Sequence, residues 1–462
     1  MKFYNTLTKK IEEFKPIEEG KVKFYTCGPT VYHDQHIGNM RNYIGHDILD
    51  KTLRYLGYDV LRIMNITDVG HLTSDSDSGE DKMVKSAKES HKTVMDIAKY
   101  YTDQFFNDFK LLNNRVPDIV KEATGEIDMY IKIITKLLDE GYAYIKGGNV
   151  YFDTSKLDDY YKLTNHKEDE MVVGVREGVD FDENKKNQAD FVLWFTKSKF
   201  EDQELKWDSP WGYGYPGWHI ECSGISIKYA GEYLDIHGGG VDNIFPHHTN
   251  EIAQSESFLG HKWCNYWYHN EHLMDKTGKM SKSKGATLTV SLLKEKGYDP
   301  LAFRFMCLNS HYKKQLVFSF DALDQASDTL NKLKNKIKSI KDDNNYNEGD
   351  FNKYNDLFKD ALENDLNTSN ALTILYEVLK ANISSNTKLK LIENFDKVLS
   401  LDLLKNDEVD EELKTKITNL IEERKKFKQE KNYEKADEIR KQIEDLGVSI
   451  KDTRDGVEII WN

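Results

Sequence analysis

The spacing of apolar residues divides the chain into recognisable elements almost from its start. Lys23-Phe-Tyr-Thr26 reads as a strand, broken by Cys27-Gly28-Pro29. A helix is predicted from about Met40 to Leu56. Tyr43, Ile44, Ile48, Leu49, Leu53 and Leu56 fall on one stripe at helical spacing, and Gly57 stands where a helix would end. Val60 to Met64 predicts a second strand, running into Asn65-Ile-Thr-Asp68. Strand, helix and strand joined by short turns form a βαβ unit, the building block of parallel sheets. Ligands on such sheets gather beyond the strand ends, which places Cys27 to Asn39 and Asn65 to Asp68 at one rim.

Further on, Val94, Ile97, Ala98, Tyr101, Phe105, Phe109 and Leu112 mark an amphipathic helix, and Ile127 to Leu138 predicts another. Gly147-Gly148, between two β-rich runs in Tyr142 to Phe152, signals a hairpin. The polar segment Lys156 to Asn187 reads as part of an insertion. Trp194, Trp207, Trp211 and Trp218 crowd together with glycines and prolines, and Trp263 and Trp267 follow. Leu234 to Met274 predicts short strands and glycine turns. Beyond Phe320, lysine- and asparagine-rich helices dominate, with a polar linker at Lys341 to Asn352 and a break near Leu404 to Glu411. One charged helix is predicted from about Glu411 to Leu446. A hairpin of Val448 to Ile450 and Val457 to Trp461 then turns at Asp455-Gly456.

Length and composition narrow the class. A chain of 462 residues is expected to hold about three units. Its 39% hydrophobic share can build a large core, which excludes disorder throughout, collagen and a disulfide scaffold. Lys+Arg 65 against Asp+Glu 79 leaves a net charge of −14, so any nucleic-acid contact must rest on a local basic surface. Arginine is scarce, nine against 56 lysines. Cys27, Cys222, Cys264 and Cys307 lie far apart without a CxxC pair, as in a reduced cytosolic protein. Met1 to Phe14 has no apolar h-region, and no run approaches about 18 apolar residues. A cytoplasmic protein without a membrane segment is expected.

Three constellations carry chemistry. Cys27-Gly-Pro-Thr-Val-Tyr-His-Asp-Gln-His36-Ile-Gly38-Asn39 joins a strand end to a helix start, where free N–H groups and the helix dipole favour phosphate. A glycine turn with a surface histidine explains the same spacing. Lys279-Met-Ser-Lys282-Ser283 brackets small hydroxyl residues with two lysines able to neutralise charge on a triphosphate. In so lysine-rich a chain, a solvated loop fits as well. His237-Gly238-Gly239-Gly240-Val241-Asp242 is a glycine turn at a strand end, with a carboxylate able to bind a ribose.

Taken together, HIGN from His36 and KMSKS from Lys279 resemble the paired HIGH and KMSKS signatures of class I aminoacyl-tRNA synthetases. The strings CGPTVY, NITD, PGWHIECS, DIHGGGVD and FPHHTNEIAQS are similar to those of the cysteinyl-tRNA synthetase family. Ala436-Asp-Glu-Ile-Arg440, Leu446-Gly-Val and Asp452-Thr-Arg-Asp-Gly456 carry the resemblance to the end. It implies an α/β fold: a class I Rossmann-like parallel-sheet catalytic domain with an insertion, then a helical domain and a small C-terminal α+β anticodon-binding unit. The implied segments are a first catalytic half at 1–114, a connective insertion at 115–205 and a second catalytic half at 206–284 ending in the KMSKS loop. A stem-contact region at 285–345, a helical bundle at 346–410 and the anticodon-binding unit at 411–462 complete the chain.

The resemblance further implies a cysteine–tRNA ligase that makes cysteinyl-adenylate from L-cysteine and ATP and passes the cysteinyl group to tRNA(Cys). The family's zinc motif falls on Cys27, Cys222, His247 and Glu251, one ion per chain. His247 and Glu251, four apart, share a helical face. On spacing alone His248 would serve as well as His247. A soft thiolate binds zinc directly and a neutral hydroxyl does so far less well, so metal coordination separates cysteine from serine without an editing domain. Cys27, Gly28, Thr67, Trp218 and His237 are the implied cysteine pocket. His36, Gly38, Asn39, Gly239, Asp242 and Lys282 are the implied ATP contacts. Of these residues His36, Asn39 and Lys282 act in catalysis, with Lys279 and with Mg²⁺ bridging the phosphates. Asn39 departs from the pattern, since a second histidine normally stands there, and Val69 to Met83 differs as well. A monomer is expected. Two rivals remain: a ligase joining activated cysteine to a small sugar amine, and a non-catalytic zinc and nucleotide module. Glu411 to Asn462 speak against the first, and the intact HIG and KMSKS signatures against the second.

Overall fold

The computed structural model describes residues 1–69, 93–164, 182–197, 204–275, 278–279, 287–405, 411–430, 432–446, 448–453 and 456–461. They fall into two units, Met1–Leu404 and Lys405–Asn462. The first unit opens with β1 (Lys2–Asn5), β2 (Lys10–Glu13), β3 (Lys21–Thr26), α1 (Ile37–Tyr55), β4 (Asp59–Ile66), α2 (Val94–Leu111), β5 (Ile119–Glu122) and α3 (Ile127–Asp139). An antiparallel sheet follows, made of β6 (Ala143–Lys146), β7 (Asn149–Phe152), β8 (Phe191–Phe195) and β9 (Tyr215–Pro216). The chain then returns through α4 (Trp218–Ala230), β10 (Leu234–Gly240), α5 (Thr249–Leu259), β11 (Cys264–Asn270), β12 (Leu273–Asp275) and β13 (Gly278–Lys279). After α6 (Val290–Glu295), α7 (Pro300–Leu308) and β14 (Leu316–Val317) come four longer helices. These are α8 (Phe320–Lys338), α9 (Glu348–Glu363), α10 (Thr368–Lys380) and α11 (Ser385–Leu399).

The central sheet has the order β11-β10-β3-β4-β5, and every neighbouring pair is parallel. Side chains alternate across it. Phe24 and Met64 join a core with Met40, Tyr43, Ile44 and Leu53 of α1. Tyr25 and Ile63 join another with Tyr130 and Ile134 of α3 and Ile220 and Ile225 of α4. Strands buried on both faces suit a parallel sheet covered by helices. The order reverses at β3 and β10, and the ends of these two strands open the crevice where ligands bind on such sheets.

Helix α1 begins a turn before the stripe that predicted it, because His36 caps it: its Nδ1 accepts the Asn39 N–H at 3.2 Å. It ends at Gly57, with φ +97°. There the Gly57 N–H reaches Arg54 O at 3.0 Å and the Tyr58 N–H reaches Leu53 O at 3.1 Å, a Schellman closure that needs a left-handed residue.

Three expectations change. Leu234 to Met274 holds the full helix α5 as well as strands, ended by Gly260 at φ +79°. The polar linker is shorter than Lys341 to Asn352, since Asn347 caps α9 by accepting the Asp350 N–H at 2.9 Å. In the second unit the charged run Glu411 to Leu446 is two helices, α12 (Glu411–Gln429) and α13 (Tyr433–Asp445). Asn432 breaks it, its side chain accepting the Lys435 N–H at 3.3 Å to start α13. The antiparallel pair β15 (Val448–Thr453) and β16 (Gly456–Trp461) completes that unit around Ile417, Ile439, Ile443, Val448 and Ile450. No helix among the described residues is long and apolar enough to cross a membrane.

Candidate active site

A cleft of about 560 Å³ opens at the C-terminal ends of β3 and β10, a size suited to a small ligand. Three elements aim donors into its floor. The end of β3 delivers Cys27, the first turns of α4 deliver Trp218 and Cys222, and the wide turn Ile244–His248 delivers His247, with Glu251 of α5 buried beside them. Close approach requires glycine beside Cys27, where a Cβ on Gly28 would stand 1.6 Å from Asn65 O.

Cys27, Cys222, His247 and Glu251 are all buried, and one donor atom from each lies within 4.8 Å of the others. Cys27 Sγ is 3.9 Å from Cys222 Sγ and 3.9 Å from Glu251 Oε1, and His247 Nε2 is 3.0 Å from the same oxygen. Two thiolates on a tetrahedral zinc at about 2.3 Å stand about 3.8 Å apart, so the sulfur spacing fits. The His247 ring is held from behind. Its Nδ1 is 2.9 Å from His219 Nδ1, and the Trp218 ring stacks on it at 4.1 Å and 6°. Such outer partners orient a histidine that offers its other nitrogen to a metal.

The ambiguity over His248 has a structural counterpart. Cys27, His237, His248 and Glu251 also bring donor atoms within 4.8 Å of one another. His248 Nε2 lies 3.2 Å from Cys27 Sγ, and its Nδ1 lies 2.8 Å from His269 Nε2. His269 Nδ1 in turn reaches Thr6 Oγ1 at 2.7 Å, and His237 Nε2 lies 2.8 Å from Glu251 Oε2.

The buried cluster holds its ionisable groups far from their ordinary values. Burial opposes ionisation of the Cys27 thiol, but the Cys222 thiol, His248 and His247 together bring it well below its ordinary value. Burial and the neighbouring Cys27 push Cys222 well up. Burial, reinforced by Cys27, raises Glu251 well above the carboxylate range. Burial lowers His237 to about 4 and His248 to about 3, leaving both neutral. A divalent cation would let two thiolates and a carboxylate ionise side by side.

At the rim, His36 uses Nδ1 as an acceptor, which leaves Nε2 as the ring's donor position. Gly38 and Asn39 line the cleft, and Asn39 Oδ1 is buried with no hydrogen-bond partner among the described residues. Asp242 lines it too, and Gly239 lets β10 pass beneath, since a Cβ there would meet the His248 ring at 2.5 Å. Thr67 lines the floor, whereas His237 lies fully buried behind Glu251. The Lys279 backbone pairs with Met274 in β13. Lys282, like 70–83 of the Val69 to Met83 stretch, lies outside the described residues. His219, His269, Asn65 and Glu221 hold the site's polar groups in place; Asn65 lies in NITD and His219 and Glu221 in PGWHIECS, while His269 had no sequence signal of its own. Glu221 and its partner Thr67 stand 154 positions apart, and His219 and His247 stand 28 apart.

Residues 13–328 match the family described as the tRNA synthetases class I (C) catalytic domain, and 357–401 match the DALR domain. The cysteine–tRNA ligase of Treponema denticola is 45% identical, covering 98% of this chain and 98% of its own length. The chain belongs to the cysteine–tRNA ligase family. Members from Borreliella burgdorferi and Brachyspira hyodysenteriae are 43% and 42% identical, each covering 99% of this chain. Among solved structures, Mycobacterium tuberculosis methionyl-tRNA synthetase in complex with methionyl-adenylate shares the fold, with a TM-score of 0.54 at 12% identity, covering 82% of this chain and 90% of its own. The family's class I catalytic architecture is thus the parallel sheet and switch-point cleft described above.

Proposed function

We propose that the protein activates L-cysteine with ATP to cysteinyl-adenylate and transfers the cysteinyl group to tRNA(Cys), and that a zinc ion selects the thiol. The observation that carries this reading is the convergence of Cys27, Cys222, His247 and Glu251, the first three of which line the same cleft as His36 and Asn39. Of the two donor sets, this one holds two sulfurs and suits zinc and a thiol ligand better. Bound there, one zinc per chain would supply a soft Lewis acid for a thiol. Trp218, Thr67 and Gly28 shape the pocket around the amino acid, and His237 steadies Glu251.

Above the pocket, the α1 N-terminus offers its N–H groups and dipole to phosphate, and His36 Nε2–H and the Asn39 side chain face the same charge. Lys279 and Lys282 act there as countercharges, with Mg²⁺ carried by ATP. Gly239 and Asp242 hold the nucleoside. The segments 1–114 and 206–284 form the catalytic domain around the 115–205 insertion, 285–345 contacts the acceptor stem, 346–410 is the helical bundle, and 411–462 reads the anticodon. Four free cysteines support a reducing, cytoplasmic setting, and a net charge of −14 supports a monomer. The sugar-amine ligase reading is not favoured, because the cysteine–tRNA ligases named above match end to end. Purified protein should charge tRNA(Cys) transcript with cysteine in an ATP-dependent reaction. No charging under those conditions would refute the reading.

A further inference from the structure

We infer that Glu221 fixes the direction of the Thr67 hydroxyl and so makes Thr67 a hydrogen-bond acceptor for the α-ammonium group of cysteine. This rests on the reading of the cleft floor as the cysteine pocket. The chain of hydrogen bonds begins at a donor that cannot reverse, the Gly28 backbone N–H, which donates to Asn65 Oδ1 at 2.8 Å. The Tyr25 hydroxyl donates to the same oxygen at 3.0 Å. With Oδ1 so occupied, the Asn65 carboxamide has one orientation, and its Nδ2 donates to Thr67 Oγ1 at 2.9 Å. Thr67 then donates to Glu221 Oε2 at 3.0 Å.

A hydroxyl has one proton and two lone pairs. Thr67 directs the proton and one lone pair into the protein, so toward a ligand it can only accept. Thr67 lines the cleft with Cys27 and Cys222, while Glu221 stands behind it, 0% exposed and not part of the lining. Cys222 Sγ lies 3.7 Å from Asn65 Oδ1, which places the Thr67 acceptor one carboxamide away from the sulfur donors. An amino acid whose thiol is held at those donors brings a carboxylate, which needs donors, and an ammonium, which needs acceptors. Thr67 matches only the ammonium. Glu221 is therefore a positioning residue, acting through Thr67 without touching substrate.

Zinc-loaded, full-length protein titrated calorimetrically with L-cysteine and with 3-mercaptopropionate separates the outcomes, because the second thiol keeps the carboxylate and lacks the amine. Glu221→Met should weaken cysteine about tenfold while changing 3-mercaptopropionate by no more than about twofold. Glu221→Gln, whose amide oxygen still accepts from Thr67, should stay near wild type. Thr67→Val should repeat the loss for cysteine alone, and it carries the comparison if Glu221→Met does not fold. Zinc content should be unchanged in each variant. Equal losses for the two thiols, or undiminished cysteine binding in both Glu221→Met and Thr67→Val, would overturn the inference. Wild-type protein that binds neither thiol would instead overturn the cysteine-pocket reading.

Discussion

Identical side chains differ here by their surroundings, as the cysteines show. Burial, first among the causes, pushes Cys264 well up and Cys307 to about 12, so both remain thiols packed in the core. Cys27 is equally buried, yet Cys222, His248 and His247 lower it. Asn39 is a second residue defined by setting: an α1 residue at the cleft with an unpartnered side-chain oxygen among the described residues. If Asn39 is the neutral donor to phosphate proposed above, it should matter for rate. Asn39→Ala is expected to slow single-turnover adenylation by about 10–100-fold, and Asn39→His to largely preserve it. Three proteins behaving alike would leave Asn39 a surface residue. The convergence of Cys27, Cys222, His247 and Glu251 was legible only because the four sit in family strings, since spacing left His247 and His248 equivalent. How the supporting groups bond to one another was not legible, even where they sit in the same strings. A hydrogen bond such as Thr67 to Glu221 spans 154 positions, and no local pattern encodes it.

At the scale of elements, α1 joins chemistry to scaffold. Its first turn lines the cleft, while in its second half Lys51 donates to Ser400 Oγ at the end of α11 and Asp47 accepts from Arg304 of α7. The fully buried Arg304 guanidinium donates to Asp47 Oδ2 at 2.7 Å, Leu399 O at 2.7 Å and Leu112 O at 3.0 Å, so one side chain ties α7 to α1, α2 and α11. Arg304→Met leaves Asp47 with Lys51 as its nearby cation and should cost about 3 kcal/mol, seen as a lowered Tm. The pH dependence has a definite sign. Burial would raise the Asp47 carboxyl, but Lys51 and Arg304 hold it below the usual value. The stability it contributes is present above the ordinary carboxylate pKa and lost as pH falls through the folded value. Arg304→Met should therefore unfold at a higher pH during acid titration. An unchanged Tm and acid midpoint would contradict this role. The helices themselves were largely readable, since α1, α2 and α3 carry clear stripes. The break between α12 and α13 was not, because a single cap, Asn432, interrupts a charged run lacking glycine or proline.

The whole molecule divides into Met1–Leu404, with its extensive cores, and Lys405–Asn462, with a small core of its own. A chain ending near Asn406 should accordingly still make cysteinyl-adenylate and charge tRNA poorly, with the loss mainly in tRNA affinity. Binding of tRNA by the full chain should weaken as salt rises. Equal charging by the truncated and full chains would show that the C-terminal unit does not read the anticodon. Of the basic residues along α12, Arg424 is buried at 3% exposure, so an RNA contact by this unit, as proposed, would fall to its exposed lysines, Lys416, Lys425 and Lys426 among them. Charge count along the sequence could not separate that structural arginine from surface cations. The most direct test of the account is ATP–pyrophosphate exchange driven by cysteine, with serine as control, run alongside elemental analysis for zinc. Wild-type protein should hold about one zinc per chain and favour cysteine by at least about 100-fold, and Cys222→Ser should lose both zinc and exchange. Exchange supported equally by serine, or full activity in wild-type protein free of zinc, would contradict it.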